Sequence, residues 1–221
     1  MMDIKAVAFD LDGTLVDSIK DLAFSANEVR KALGLPALSE SRVESFVGDG
    51  AASLIARVLA DDKSAEPDDS VLQRQGNTLF KEIYRTHLSR HTLPYAGVAE
   101  TLAALRRQGL KLACVTNKPL HFTEPLLDVL ALDPYFELII GGDTLPEKKP
   151  HPMPLLYTAE VLGVSPHTLL MVGDSENDVK SARAAGCPVW VVDYGYAENA
   201  AALGADRVIS TCDALVELLP E

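Results

Sequence analysis

The segment "KAVAFDLDGTLVDS", residues 5–18, decides how the fold begins. Its apolar run, residues 6–9, is typical of a buried β-strand, and Asp10 and Asp12 follow it at once, separated by one leucine. Residues i and i+2 of an extended segment project to the same side. We therefore expect both carboxylates to point into the crevice at the carboxyl end of a sheet, where ligands of open α/β folds bind.

Two carboxylates this close repel each other unless a cation or a shared proton relieves them. A hard divalent cation such as Mg²⁺ suits the oxygen ligands, and Gly13 permits a sharp turn beside it. A solvated turn at a strand end is the alternative, and it is favoured for the pair of acids taken alone. An EF-hand loop is excluded, because its glycine is the sixth residue whereas Gly13 is fourth counting from Asp10.

Composition and charge restrict the classes of function. The 221 residues are 48% hydrophobic and 24% charged, which is typical of a soluble globular chain with one large domain or a core and an insert. A net charge of −12 argues against nucleic acid or an anionic membrane as partner. No signal peptide and no run of about 20 apolar residues is apparent. The three cysteines lack zinc-site spacing. We expect a cytoplasmic monomer or homodimer with a small-molecule partner.

The order of apolar and amphipathic segments predicts an α/β fold. Five apolar segments are predicted as buried strands, at residues 4–9, 110–115, 138–140, 169–172 and 189–192. Helical patterns between them, at 98–109, 152–163 and 176–186, indicate a Rossmann-like parallel sheet with helices on both faces.

The segment 18–91 contains helical patterns and no convincing buried strand. We therefore predict an inserted helical domain at 18–91 and a core domain made of 1–17 and 92–221.

Polar residues follow the later predicted strands as well. Thr116 and Asn117 come just after the second core strand, and we expect them to bind an anionic substrate. Lys149 immediately precedes a helix that starts with proline, a favourable place for an anion. Asp174 ends another strand, and Asp178 lies on the first turn of the next helix. A metal, an anion pocket and a carboxylate nucleophile at one sheet edge indicate phosphoryl transfer.

Four segments in this order, "DLDGTLVDS", "VTNK", "KKPHP" and "GDSENDV", resemble the four motifs of the haloacid dehalogenase superfamily in its phosphatase branch. The resemblance extends over nearly the whole chain. It implies a Rossmann-like core with a helical cap inserted after the first motif, which agrees with the domain prediction made from composition and pattern.

The resemblance also implies roles for single residues. Asp10 would attack phosphorus to form an aspartyl-phosphate, and Asp12 would serve as general acid and then as general base. Thr116 and Lys149 would hold the phosphoryl oxygens. Lys149 is preferred to its neighbour Lys148, because the lysine of the family directly precedes a Pro-x-Pro step. Lys148 is then expected to be a surface charge.

Mg²⁺ is the cofactor that the resemblance implies. The Asp10 carboxylate, the Asp12 backbone carbonyl and the Asp174 carboxylate would bind it. Asp178 would orient metal-bound water or Lys149 and would not bind the metal directly. An aspartate at position 12 favours a phosphatase, since dehalogenases of the superfamily do not need it.

The predicted cap contains a glycine-rich turn, "VGDGA", ahead of a helix. Backbone N–H groups at Gly48 and Gly50 could bind an anionic substrate tail, and a simple joint between two helices is the alternative. The turn resembles the corresponding region of bacterial phosphoglycolate phosphatases. Asp49 departs from that pattern, in which a neutral residue is common. An acid that faces the substrate would weaken carboxylate binding, whereas an acid that faces solvent would have no such effect. Arg57 and Lys20 are conceivable counter-charges, and the alternative is that both are simply solvated, as most basic residues on helical caps are.

The sequence therefore predicts a Mg²⁺-dependent phosphomonoester hydrolase, with 2-phosphoglycolate as the first candidate substrate. The alternatives are a phosphatase for another small metabolite such as a sugar phosphate, and a phosphotransferase similar to β-phosphoglucomutase. A non-catalytic metal- or anion-binding module is disfavoured, because all the motif acids and the lysine are present. A zinc site at His87 and His91 is not expected, since a third ligand is lacking.

Overall fold

The computed structural model describes residues 3–219, which divide into two compact units. The helical unit is Ser18–Leu93, and the core unit contains the residues up to Asp17 and those from Pro94 onward.

Over the described residues, the strands are β1 (Ala6–Phe9), β2 (Val16–Asp17), β3 (Leu93–Pro94), β4 (Lys111–Val115), β5 (Leu138–Ile140), β6 (Leu169–Gly173), β7 (Val189–Val192) and β8 (Arg207–Ile209). The helices are α1 (Ile19–Ala32), α2 (Glu40–Glu44), α3 (Ala51–Ala60), α4 (Val71–His87), α5 (Val98–Arg107), α6 (Leu120–Val129), α7 (Met153–Leu162), α8 (Glu176–Ala185) and α9 (Ala214–Leu218). Short 3₁₀ turns occur at Asp133–Tyr135, Pro166–Thr168 and Ala200–Leu203.

In the part of the chain that is described, six strands of the core unit form one parallel sheet in the order β5-β4-β1-β6-β7-β8. β2 and β3 pair separately. The predicted α/β fold with a parallel sheet is confirmed. Each of the five predicted strands is present, with ends that differ by at most two residues, and β8 is an addition that the sequence did not predict.

The central strand β1 is buried on both faces, which explains its uninterrupted apolar sequence. One face, which includes Ala6 and Ala8, forms an apolar cluster with Leu155 of α7 and Val179 of α8. Val7 and Phe9 alternate to the opposite face, and α5 packs against the neighbouring strand β4. Because helices cover both faces, the part of the sheet that stays open to a ligand is its edge at the carboxyl ends of the strands.

The helical unit is built from α1–α4, with α1 packed against α4. Its two chain ends are tied together by Asp21, whose buried Oδ2 accepts hydrogen bonds from the His91 N–H (2.9 Å), the Thr92 N–H (2.8 Å) and the Thr92 hydroxyl (2.7 Å). None of the helices in residues 3–219 combines the length and the hydropathy of a membrane-spanning segment.

Candidate active site

Three adjacent strands bring Asp10, Thr116 and Asp174 to one edge of the sheet. Asp10 directly follows β1, Thr116 follows β4 and Asp174 follows β6. The hydrogen bonds between the strands continue one residue beyond β1 and β4. The Asp10 N–H donates to the Val172 carbonyl and the Thr116 N–H donates to the Ile140 carbonyl, each at 2.9 Å. The backbone that carries these side chains is therefore fixed by the sheet.

Lys149 lies in the same place and is almost fully buried, with 1% of its surface exposed. Its Nζ is 3.1 Å from Oδ1 of Asp10 and 2.6 Å from Oδ1 of Asp178. Burial alone would lower the pKa of Lys149, but the charges of Asp10 and Asp178 outweigh burial and hold that pKa above its ordinary value. Lys149 is therefore a charged ammonium that serves two carboxylates at once.

Asp10, Asp174 and Asp178 form a buried carboxylate cluster, in which one oxygen from each lies within 4.8 Å of the others. Burial raises the pKa of Asp10 to about 6, although Lys149 acts in the opposite direction. Burial, followed by the charges of Asp178 and Asp10, raises the pKa of Asp174 well above its ordinary value. The cluster thus has more carboxylates than Lys149 can neutralise. The donor set and this excess of negative charge both fit a hard divalent cation.

Asp174 is held by a loop that follows β7. The Tyr196 N–H donates to Oδ2 of Asp174 at 2.7 Å, and the Thr14 hydroxyl is 3.4 Å from Oδ1. A side chain at Gly13 or at Gly195 would collide with Asp174. Gly13 also has a φ of +82°, a conformation that favours glycine. The sequence prediction did not include the contact of this loop with Asp174, because the contact consists of a backbone N–H and a missing side chain.

Both oxygens of Asp178 are engaged within the protein. Oδ1 contacts Lys149, as described above, and Oδ2 accepts hydrogen bonds from the Asp174 N–H (3.2 Å), the Ser175 N–H (3.0 Å) and the Ser175 hydroxyl (2.6 Å). Asp178 lies on the first turn of α8, where an acid also favours the helix. The geometry suits a residue that positions its neighbours.

Asp12 forms an ion pair with Lys118, whose Nζ is 3.0 Å from each Asp12 carboxylate oxygen. Lys118 is 6% exposed, and its backbone is fixed because its N–H donates to the Thr116 hydroxyl (3.2 Å) and its carbonyl accepts from the Gly142 N–H (2.9 Å). The predicted site did not include Lys118. The available signal was a lysine two residues after Thr116, at the edge of the sheet that carries Asp12.

Asn117 contacts the backbone of another site residue. Its side-chain amide donates to the Lys149 carbonyl at 2.8 Å. Asn117 therefore joins the segment after β4 to the segment that carries Lys149. The neighbouring Lys148 is only half-buried, whereas Lys149 lies inside the carboxylate cluster.

The glycine-rich turn belongs to the helical unit, where Gly50 directly precedes α3. Gly48 and Gly50 have φ values of +124° and +86°. Asp49 is not an isolated charge, because its Oδ2 is 2.6 Å from Nη1 of Arg57, which also donates to the Phe46 carbonyl at 3.1 Å. Arg57 is thus the counter-charge of Asp49 within this unit.

Comparisons with known proteins agree on one family. The family model described as haloacid dehalogenase-like hydrolase matches residues 7–192. A phosphoglycolate phosphatase of Chromobacterium violaceum is 52% identical over 98% of this chain and 96% of its own length. A solved structure described as a predicted phosphoglycolate phosphatase from Haemophilus somnus is 37% identical, with a TM-score of 0.93 over the full length of both chains. CbbY from Rhodobacter sphaeroides in complex with phosphate is 28% identical, with a TM-score of 0.77 over 96% of both chains.

Proposed function

The chain belongs to the haloacid dehalogenase-like hydrolase family, and from this premise we propose that it is a Mg²⁺-dependent phosphatase of 2-phosphoglycolate. The buried contact between Asp10 and Lys149 at the carboxyl end of β1 is the observation that carries the proposal. It joins a carboxylate nucleophile and a fixed cation in one place, as phosphoryl transfer requires. Relatives named phosphoglycolate phosphatase, 43–52% identical to this chain, support the substrate.

Asp10 forms the covalent bond in the proposed reaction. The Leu11 N–H (2.7 Å) and Lys149 (3.1 Å) both contact Oδ1 of Asp10, which holds that oxygen in place. A carboxylate oxygen of Asp10 attacks phosphorus, the bond from phosphorus to the ester oxygen breaks, and Asp12 gives a proton to the leaving oxygen. Asp12 then accepts a proton from water as that water attacks the aspartyl-phosphate, which releases phosphate and restores Asp10.

Other residues hold the phosphoryl group and the metal. Thr116 and Lys149 donate to the phosphoryl oxygens, where preorganised donors stabilise the charge that develops. The Asp10 carboxylate, the Asp12 backbone carbonyl and the Asp174 carboxylate would hold Mg²⁺, which when bound neutralises charge on the transferring group. The saturated contacts of Asp178 support a role in positioning Lys149 and Asp174.

The remaining assignments stay predictions. They are the cap role of the helical unit, substrate binding by Gly48, Gly50 and Asn117, the monomeric or dimeric state and the cytoplasmic location. A sugar phosphatase and a mutase would use the same core residues. The names of the relatives favour phosphoglycolate over both.

Phosphate release from a panel of small phosphoesters tests the proposal. The panel contains 2-phosphoglycolate, a sugar 1-phosphate and a sugar 6-phosphate, and pyrophosphate is added as a phosphoanhydride for comparison, each with Mg²⁺ and with EDTA. We expect 2-phosphoglycolate to have the highest kcat/KM, and we expect EDTA and Asp10→Asn to abolish turnover. If a sugar phosphate were turned over preferentially, the proposed reaction would stand and the proposed substrate would be wrong. Undiminished turnover by Asp10→Asn would refute the mechanism.

A further inference from the structure

We infer that Lys118 is a specificity-determining residue that recognises a carboxylate on the leaving group of the substrate. The inference rests on the proposed function, in which Asp12 protonates the ester oxygen. In the structure, Lys118 forms an ion pair with the Asp12 carboxylate. The substrate class is therefore a phosphate ester with a carboxylate close to its ester oxygen, of which 2-phosphoglycolate is the smallest.

Distances place Lys118 within reach of that carboxylate. Nζ of Lys118 is 3.0 Å from both oxygens of Asp12. A general acid must come within about 3 Å of the oxygen that it protonates, so Nζ lies at most about 6 Å from the ester oxygen of a bound substrate. Ordinary bond lengths put the carboxylate oxygens of 2-phosphoglycolate about 3 Å from its ester oxygen. The ammonium and the substrate carboxylate can therefore come into direct contact.

The site contains a precedent for one ammonium that serves two carboxylates. Lys149 contacts Asp10 and Asp178 simultaneously, at 3.1 and 2.6 Å. Lys149 lies on the side of the nucleophile, however, whereas Lys118 lies on the side of the general acid and hence of the leaving group. In this arrangement Lys149 would serve the phosphoryl group and Lys118 the rest of the molecule.

Burial makes the contact selective. Lys118 is 6% exposed and its Nζ is 3.0 Å from Asp12, so the ammonium lies within the site and not in solvent. A charge–charge contact is stronger in such a place than in water. A site built for a charged group favours substrates that carry the group, because an analogue without it does not form the contact with the ammonium.

Two substrates of similar size separate recognition of the carboxylate from catalysis. In 2-hydroxyethyl phosphate a hydroxymethyl group replaces the carboxylate of 2-phosphoglycolate, and the ester oxygen is unchanged. The quantity measured is the ratio of kcat/KM for 2-phosphoglycolate to kcat/KM for 2-hydroxyethyl phosphate. We expect Lys118→Met to lower this ratio by about 10- to 100-fold, the range for a lost hydrogen bond between charged groups.

Two further variants serve as controls. Lys118→Arg keeps the charge and should retain most of the preference for 2-phosphoglycolate. Lys180→Met removes an equal charge from an exposed pair with Glu176 on α8, and the ratio should not change. Thermal melting of each variant checks that it is folded.

A binding measurement gives a readout that does not depend on turnover. In the Asp10→Asn background, adding Lys118→Met should weaken calorimetric binding of 2-phosphoglycolate by a similar factor and leave binding of 2-hydroxyethyl phosphate much less affected. An unchanged ratio, or equal losses for both esters, would overturn the inference, since Lys118 would then act only through Asp12. A wild-type protein that hydrolyses neither ester would instead refute the proposed function, and this inference with it.

Discussion

Replacing Gly195 with alanine tests whether the loop after β7 holds Asp174, a proposed Mg²⁺ ligand, in place. A Cβ at this position would lie 2.5 Å from the Gly13 carbonyl oxygen and 2.7 Å from Oδ2 of Asp174, closer than real Cβ contacts allow. Gly195 is not among the residues with a left-handed backbone, so the effect is steric alone. Either the loop or Asp174 must move, and the hydrogen bond from the Tyr196 N–H must lengthen.

The expected magnitude follows from this geometry. Overpacking of a tight site costs about 1–3 kcal/mol in the free energy of unfolding. Loss of the contact that orients a metal ligand weakens metal affinity by about 10- to 100-fold. We therefore expect Gly195→Ala to be folded, less stable and much weaker in Mg²⁺ binding. Isothermal calorimetry measures the affinity, and thermal melting with and without Mg²⁺ measures the stability.

Gly76→Ala in α4 is the matched control, because it adds the same methyl group in the helical unit. Its Cβ would meet the side-chain ends Cγ2 of Ile55 (2.8 Å) and Cδ1 of Leu59 (2.9 Å), which can shift, and alanine favours a helix by up to about 1 kcal/mol over glycine. We expect Mg²⁺ affinity equal to wild type. Wild-type Mg²⁺ affinity in a folded Gly195→Ala protein would refute the role of the loop.

Two further perturbations address the charges of the site. Lys149→Met removes the ammonium from the buried carboxylates. We expect it to lower the free energy of unfolding in denaturant by about 3–5 kcal/mol and to abolish the activity, whereas Lys148→Met should leave stability and activity near wild type. Equal effects of the two variants would contradict the assignment of Lys149 to the site. The second is pH: in the folded protein the pKa of Asp10 is about 6 against an ordinary 3.8, so the folded state binds the proton more tightly. Protonation of Asp10 should therefore make the EDTA-treated wild-type protein more stable, relative to EDTA-treated Asp10→Asn, as the pH falls from 7 to 5. A difference in melting temperature between the two proteins that does not change with pH would contradict this.

The strands could be predicted because the sheet is buried on both faces, which demands uninterrupted apolar runs such as that of β1. The same reasoning missed β8, since Arg207 and Val208 are exposed on this edge strand and only Ile209 is buried. No apolar run of sufficient length marks it.

The candidate site was predictable where side-chain chemistry directly follows a strand. Asp10 and Asp174 are of this kind, and their position after β1 and β6 follows from the chain order alone. Gly195 and Tyr196 contribute a missing side chain and a backbone N–H, which leave no chemical signature in the sequence.

The ion pairs could be predicted only in part. The Lys118 contact with Asp12 joins residues 106 positions apart, and only the parallel pairing of β1 with β4 brings them together. The sequence left open whether Asp49 meets substrate or solvent, and the structure pairs it with Arg57.

The covalent bond to Asp10 is the central claim, and rapid acid quenching tests it most directly. Enzyme mixed with Mg²⁺ and 2-phosphoglycolate is quenched during turnover, digested and analysed by mass spectrometry. The account predicts one added phosphoryl group on the peptide that contains Asp10, absent from Asp10→Asn and from samples with EDTA. A phosphoryl group on another residue, or rapid phosphate release by Asp10→Asn, would contradict it.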